Sequence, residues 1–154
     1  MNKLVQAVGF MTAVFAGFGI ALGLLAFISG SWAQSQLITD AGGAAEFGPV
    51  FIAVAYLQTA IVILLLGPVI AALAAGLLGP VFSSPKLALA GGGIASLVGF
   101  YIMAVIALAI LVLSKGPEAQ QAFSFTQVLV PMLTAGIPTA IMGSLISALS
   151  SALN

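Results

Sequence analysis

The chain has 154 residues, of which 62% are hydrophobic and 4% charged, and its three lysines balance three acidic residues. A water-soluble domain of this size needs about a quarter of its residues charged, so the composition excludes one. Because basic residues are so few, we expect no nucleic-acid partner. Cysteine and histidine are absent, so we expect no metal and no cofactor.

Four long runs without charge predict four transmembrane helices. We place the spans at about 4–31, 50–78, 87–114 and 124–149. The apolar run 4–28 is longer than the core of a signal peptide, so we expect it to be a retained span. The sequence therefore predicts an all-α integral membrane protein. Residues 1–154 would form a single transmembrane domain, with its four helices in an up-down bundle.

Span 1 carries small residues that recur alternately at three and four positions. This small-residue seam consists of Gly9, Thr12, Ala16, Gly19, Gly23, Ala26 and Gly30. Helices in lipid are not driven together by the hydrophobic effect, so their association depends on close backbone approach. The spacing predicts a packed surface with a left-handed crossing of about +20°. Its partner could be a helix of the same chain or of another subunit.

Prolines interrupt the apolar helices of spans 2 and 4. Gly67 and Pro68 lie within span 2, and Pro131 and Pro138 lie within span 4. Because proline removes one helix hydrogen bond and crowds the preceding turn, we predict a kink in each of these spans. Such a break is either a bend that helps helices pack or a hinge in a transport path. We favour the bend, because few polar groups lie nearby.

The two halves of span 3 differ in composition. Its first half is rich in glycine, and its second half, IMAVIALAILVL, is typical of a lipid-facing surface. Lys3 and Lys86 would lie on one side of the membrane, and Lys115 with all three acidic residues would lie on the other. The excess of lysine predicts that both termini are cytoplasmic.

The spans lack the groups that catalysis or ion transport needs. Ion and proton carriers keep an ionisable residue within a span, and none is found in these four. No general base lies within the bundle, so we predict no catalytic residue and no enzyme. If the protein were a pore, the polar side chains available to line it would be Gln58, Thr59, Thr134 and Thr139.

These observations favour a non-catalytic structural or assembly subunit of a larger membrane complex or lattice. Its partners would be the lipid bilayer and either other membrane subunits or copies of itself. One alternative is a pore or carrier for a neutral or hydrophobic solute. Another is a viral envelope or membrane-shaping coat protein. The small, glycine-rich and nearly charge-free chain resembles in composition the envelope proteins of some archaeal lipid-containing viruses.

Overall fold

A computed structural model describes residues 3–37, 44–115 and 125–153, which form four long helices. Helix α1 runs over Lys3–Leu37, α2 over Ala44–Leu78, α3 over Pro85–Lys115 and α4 over Phe125–Ala152. Four segments are long and apolar enough to cross a membrane: Lys3–Ser29 in α1, Leu57–Val81 in α2 with the turn after it, Pro85–Leu111 in α3 and Val130–Ala152 in α4. The prediction of an all-helical chain with four candidate spans is therefore confirmed, which indicates a multi-pass membrane protein.

The helices are long relative to the thickness of a bilayer. Helix α1 has 35 residues, which corresponds to about 52 Å, whereas the hydrocarbon core of a bilayer is about 30 Å thick. Helix α2 begins at Ala44 rather than after Pro49, so this proline lies in the second turn. The connections 38–43 and 116–124 lie outside the described residues.

The link between α2 and α3 is short and closely determined by its sequence. Gly79–Val81 forms a 3₁₀ turn with a proline near its start, and the Phe82 N–H donates to the Gly79 carbonyl at 3.2 Å. Phe82 itself is extended, which ends the helical path. The Ser84 hydroxyl accepts a 3.4 Å hydrogen bond from the Leu87 N–H, so Ser84 caps α3 just ahead of Pro85.

Helix α3 lies between α1 and α4, and α2 packs mainly on α4. Phe15 of α1 lies against Gly99 of α3, and Gly23 lies against Ile110 further along both helices. Residue numbers increase in the same direction along both helices of this interface, so α1 and α3 are parallel. Their N-terminal ends consequently lie at the same end of the bundle.

Two further helix pairs, α3 with α4 and α2 with α4, complete the bundle. Gly92 of α3 lies against Ser147 of α4, whereas Tyr101 donates a hydrogen bond to the Leu133 carbonyl, so these two helices are antiparallel. The Ser150 hydroxyl of α4 donates to the Gly76 carbonyl of α2 at 2.7 Å. The four helices are thus packed in the order α1, α3, α4, α2.

Helix α3 is the most buried of the four. Half of its most apolar window is buried, against 22% of the corresponding window in α1. In its second half Met103, Ala107 and Leu111 are fully buried, while Val105 and Leu113 are exposed. The expectation that this half faces lipid is therefore wrong for one of its faces. Composition could not reveal this, because α1 covers that face with residues that are equally apolar.

Phe100 provides a test of this central position. Its ring is fully buried and makes an edge-to-face contact with Tyr101, with centroids 5.5 Å apart. We expect Phe100→Ala to lower the free energy of unfolding by about 3 kcal/mol, because the lost ring leaves a cavity. Leu113→Ala is the control, since that side chain is 84% exposed, and should cost about 0.5 kcal/mol or less. Unfolding by denaturing detergent measures both, and equal losses would contradict the buried position of Phe100.

Candidate helix-packing site

The backbones of α3 and α4 approach each other closely where the two helices cross. It joins two similar segments, Gly-Gly-Ile-Ala-Ser at 92–96 and Gly-Ser-Leu-Ile-Ser at 143–147. A β-carbon built on Gly92 would lie 2.5 Å from the β-carbon of Ser147 and 2.6 Å from the Gly143 carbonyl oxygen. A β-carbon on Gly143 would overlap the side chain of Ser96 and lie 2.9 Å from the Gly92 carbonyl oxygen. Each serine therefore packs on the glycine of the opposite helix, and any larger residue would separate the backbones.

The two serines at this crossing are buried without a hydrogen-bond partner. Ser96 and Ser147 are fully buried, and neither hydroxyl oxygen has a partner among the described residues. A buried hydroxyl without a partner is unfavourable by about 1–3 kcal/mol. These residues therefore contribute small volume to the crossing rather than hydrogen bonding.

Hydroxyl groups supply donors around Pro138 in α4. Proline has no N–H, so Pro138 leaves the Thr134 carbonyl without its helical donor. The Tyr101 hydroxyl donates to the Leu133 carbonyl at 3.1 Å, and the Thr139 hydroxyl donates to the Ala135 carbonyl at 3.0 Å. These two bonds engage the carbonyls on either side of the one that Pro138 frees. Pro131 and Pro138 both lie inside the continuous helix α4.

The contact between α1 and α3 pairs large residues with small ones. The Phe15 ring packs where a β-carbon on Gly99 would lie, 2.5 Å from ring atom Cδ2. Further along, the small residue belongs to α1 and the large one to α3, because a β-carbon on Gly23 would lie 2.9 Å from the β-carbon of Ile110. The buried face of α1 therefore combines bulky and small side chains, which a search for small residues alone does not find.

The small-residue seam of α1 is only partly buried in the bundle. Gly19 and Gly23 are buried against α3. Thr12, Ala16 and Ala26 are half-buried, Gly9 is exposed, and the surroundings of Gly30 lie outside the described residues. The structure thus brings part of the seam into the bundle, and whether the rest meets another subunit stays a prediction.

A second series of small residues lies on the outer side of α1. Gly9, Ala13, Gly17 and Ala21 recur at every fourth position and are all exposed. A β-carbon at Gly9 or Gly17 would have nothing within 4 Å. At about 100° per residue, this outer small-residue face points about 180° away from the face that packs on α3. The bundle therefore leaves these small residues uncovered, on a side of α1 that also exposes large side chains such as Ile20 and Leu24.

The residues around Pro68 form a contact between three helices. A β-carbon on Gly67 would lie 2.7 Å from the Phe100 ring and 2.8 Å from the Thr139 hydroxyl. Pro68 follows directly and lies inside α2, which continues to Leu78. Gly67 is therefore needed for the close packing of the three helices, whether or not Pro68 bends α2.

The four polar residues predicted to line a pore differ in their exposure. Gln58 and Thr134 are exposed, whereas Thr59 and Thr139 are buried. The Thr134 hydroxyl donates to carbonyls of its own helix, at 2.8 Å to Pro131 and 3.1 Å to Val130. These residues do not form one continuous buried lining.

Sequence reasoning missed the pairing of α3 with α4. The signal was present as two copies of the pattern Gly-(Gly/Ser)-x-x-Ser, at 92–96 and 143–147. On a helix this spacing places the first and last residues on one face. Two such faces could have been expected to meet.

Comparison with protein-family models finds no match, and no curated protein or solved structure shows significant similarity to this chain.

Substitution of Gly143 tests the close approach of α3 and α4. Gly143→Ala should lower the free energy of unfolding by about 1–3 kcal/mol, because the new methyl group overlaps Ser96 and neither backbone can move freely. Gly76→Ala is the matched control, since its β-carbon would meet only Ile146, at an ordinary 3.7 Å. It should be neutral or stabilising by about 0.5–1 kcal/mol, because alanine favours helix. Stabilisation by both substitutions would contradict the crossing.

A pair of serine substitutions separates hydrogen bonding from packing. Ser150→Ala removes the donor to the Gly76 carbonyl and should cost about 0.5–1 kcal/mol of unfolding free energy. Ser96→Ala removes a buried hydroxyl without a partner and should be neutral or slightly stabilising. Detergent unfolding of both variants measures the difference. A loss at Ser96 equal to that at Ser150 would show that the Ser96 hydroxyl has a partner in the membrane.

Proposed function

We propose that this chain is a non-catalytic structural subunit that assembles with other membrane proteins, or with copies of itself, through small-residue helix packing. Both its partners and its surroundings would lie within the bilayer. The helices account for nearly all the described residues, which leaves the helix surfaces as the means of recognition.

The outer small-residue face of α1 is the observation that supports this proposal. It combines exposed glycine and alanine at four-residue spacing with open space in front of Gly9 and Gly17. Small residues at this spacing allow another helix to approach the backbone closely, typically with a right-handed crossing of about −40°. Large exposed side chains such as Phe10, Ile20 and Leu24 lie on the same side of α1, so a partner helix would pack between them.

A pore or carrier has less support. Such a protein needs polar groups that face one shared cavity. Gln58 and Thr134 are exposed, and the Thr139 hydroxyl is engaged by the carbonyl of Ala135. A viral or membrane-shaping lattice would be one form of the proposed assembly, in which every partner is another copy of this chain.

The proposal includes an orientation and a role for the prolines. Lys3 and Lys86 begin α1 and α3, whose parallel packing places them at one end of the bundle. By the positive-inside rule this end faces the cytoplasm, with both termini. We further infer that Pro68, Pro131 and Pro138 bend α2 and α4 to improve packing, rather than to form transport hinges.

Two isoleucine substitutions, two residues apart on opposite sides of α1, separate assembly from folding. We expect Gly17→Ile to leave helix content and unfolding free energy unchanged but to dissociate the native assembly, because it fills only the outer face. Gly19→Ile should instead destabilise the chain itself, because the Met103 carbonyl oxygen is 2.7 Å from a β-carbon at this position. The measurement is the mass of the complex purified in mild detergent, together with its co-purifying proteins and its circular dichroism.

The same purification distinguishes the kinds of assembly. A defined complex with unlike subunits supports an accessory subunit, and a homo-oligomer or lattice supports self-assembly. A wild-type chain that is monomeric in membranes would overturn the proposal. An assembly that Gly17→Ile leaves intact would show that the outer face of α1 is not its interface.

A further inference from the structure

A crevice of about 350 Å³ opens between the start of α1 and the start of α3. Its inner side is formed by Phe82 and Gly91. A β-carbon on Gly91 would lie 2.6 Å from ring atom Cε1 of Phe82, so only glycine lets this ring lie against the α3 backbone. The link between α2 and α3 thus supplies one side of the crevice.

The crevice is apolar inside and polar at one end. Leu4, Leu87 and Ile94 contribute apolar side chains, while Lys3 and Ser83 contribute the polar groups. Ile94 is nine positions after Pro85, the first residue of α3, which corresponds to about 13 Å along the helix. One cation therefore lies near the opening of a narrow apolar space.

The crevice lies where the candidate spans end. The first candidate span begins at Lys3, the second ends at Val81 and the third begins at Pro85. In a bilayer this level corresponds to the lipid headgroups, and Ile94 lies deeper, at the level of the acyl chains. The polar and apolar parts of the crevice thus follow the polarity of the surrounding bilayer.

The charge at this end of the bundle is positive. Lys3 lines the crevice, Lys86 lies nearby in the first turn of α3, and no acidic residue of the described chain lines the crevice. Glu46 lies in the first turn of α2, at the opposite end of the bundle. The charge therefore complements an anion rather than a zwitterion.

We propose that this crevice binds an anionic phospholipid of the bilayer. One acyl chain lies between α1 and α3 along Leu87 and Ile94, and the lipid phosphate lies at Lys3 and Ser83. Lysine interacts with phosphate through its point charge and its donors. A free phosphate ion would use only the polar end, whereas a phospholipid fills both parts. This site is independent of whatever binds the outer face of α1.

Lipid retention by the purified protein tests the proposal. The protein in mild detergent is titrated with phosphatidylglycerol or with phosphatidylcholine carrying the same acyl chains, and bound lipid is counted by native mass spectrometry. We expect one phosphatidylglycerol to be retained in preference to phosphatidylcholine. Lys3→Gln should weaken its binding about fivefold, the effect of one interfacial lysine.

Two further variants make the result specific. Lys86→Gln removes a lysine at the same end that does not line the crevice, so binding should change less than twofold. Ala90→Phe fills the crevice, of which Ala90 is a lining residue, and should reduce retention of both lipids. Circular dichroism verifies the fold of each variant, and the comparison of Lys3→Gln with Lys86→Gln remains decisive if Ala90→Phe does not fold.

Several outcomes would overturn the proposal. Equal retention of the two lipids by the wild-type protein would exclude selection by charge. Equal weakening by Lys3→Gln and Lys86→Gln would indicate general attraction to the basic end instead of a site. Displacement of the lipid by millimolar inorganic phosphate would show that the phosphate group, without an acyl chain, is what this site recognises.

Discussion

The fold depends on how closely the backbones of α3 and α4 approach each other. In lipid, apolar side chains gain nothing by leaving their surroundings, so helices associate through packing and hydrogen bonds. At Gly92 and Gly143 the backbones are so close that even a β-carbon would contact the opposite carbonyl oxygen. This crossing fixes α4 on one side of α3, and the exchange of Phe15 and Gly19 with Gly99 and Met103 fixes α1 on the other. Helix α2 then packs mainly on α4.

Hydroxyl groups in the bundle either fill space or donate to main-chain carbonyls. The buried polar side chains among the described residues are Thr59, Ser96, Thr139 and Ser147. The described hydroxyls of Tyr101, Thr139 and Ser150 all donate to main-chain carbonyls. Such bonds stabilise helix contacts and supply donors near proline, but they leave few polar groups for a solute. This distribution suits a protein whose surface recognises helices and lipids.

Much of the fold could be predicted from the sequence, because crossing a bilayer requires long runs without charge. The four candidate spans were found in this way. Helix pairing could not be predicted, since small residues occur on every helix and their size alone does not identify the partner. The buried face of α1 shows why. The large residues Phe15 and Met11 of α1 are buried because α3 offers room at Gly99. Gly9 of α1 is as small as Gly99, yet it is exposed. The crevice at Lys3 also escaped prediction, since it joins residues about eighty positions apart.

The packing order of the helices has a consequence for how the chain enters the membrane. Helices α1 and α2 emerge first from the ribosome, yet they pack chiefly on α3 and α4 respectively. If the helices insert in chain order, the first hairpin has little interface of its own until the second hairpin follows. Contacts between distant segments slow folding. Insertion of the last two helices would be the step that closes the bundle, and a chain truncated before α3 would leave the exposed glycines of α1 available to other helices.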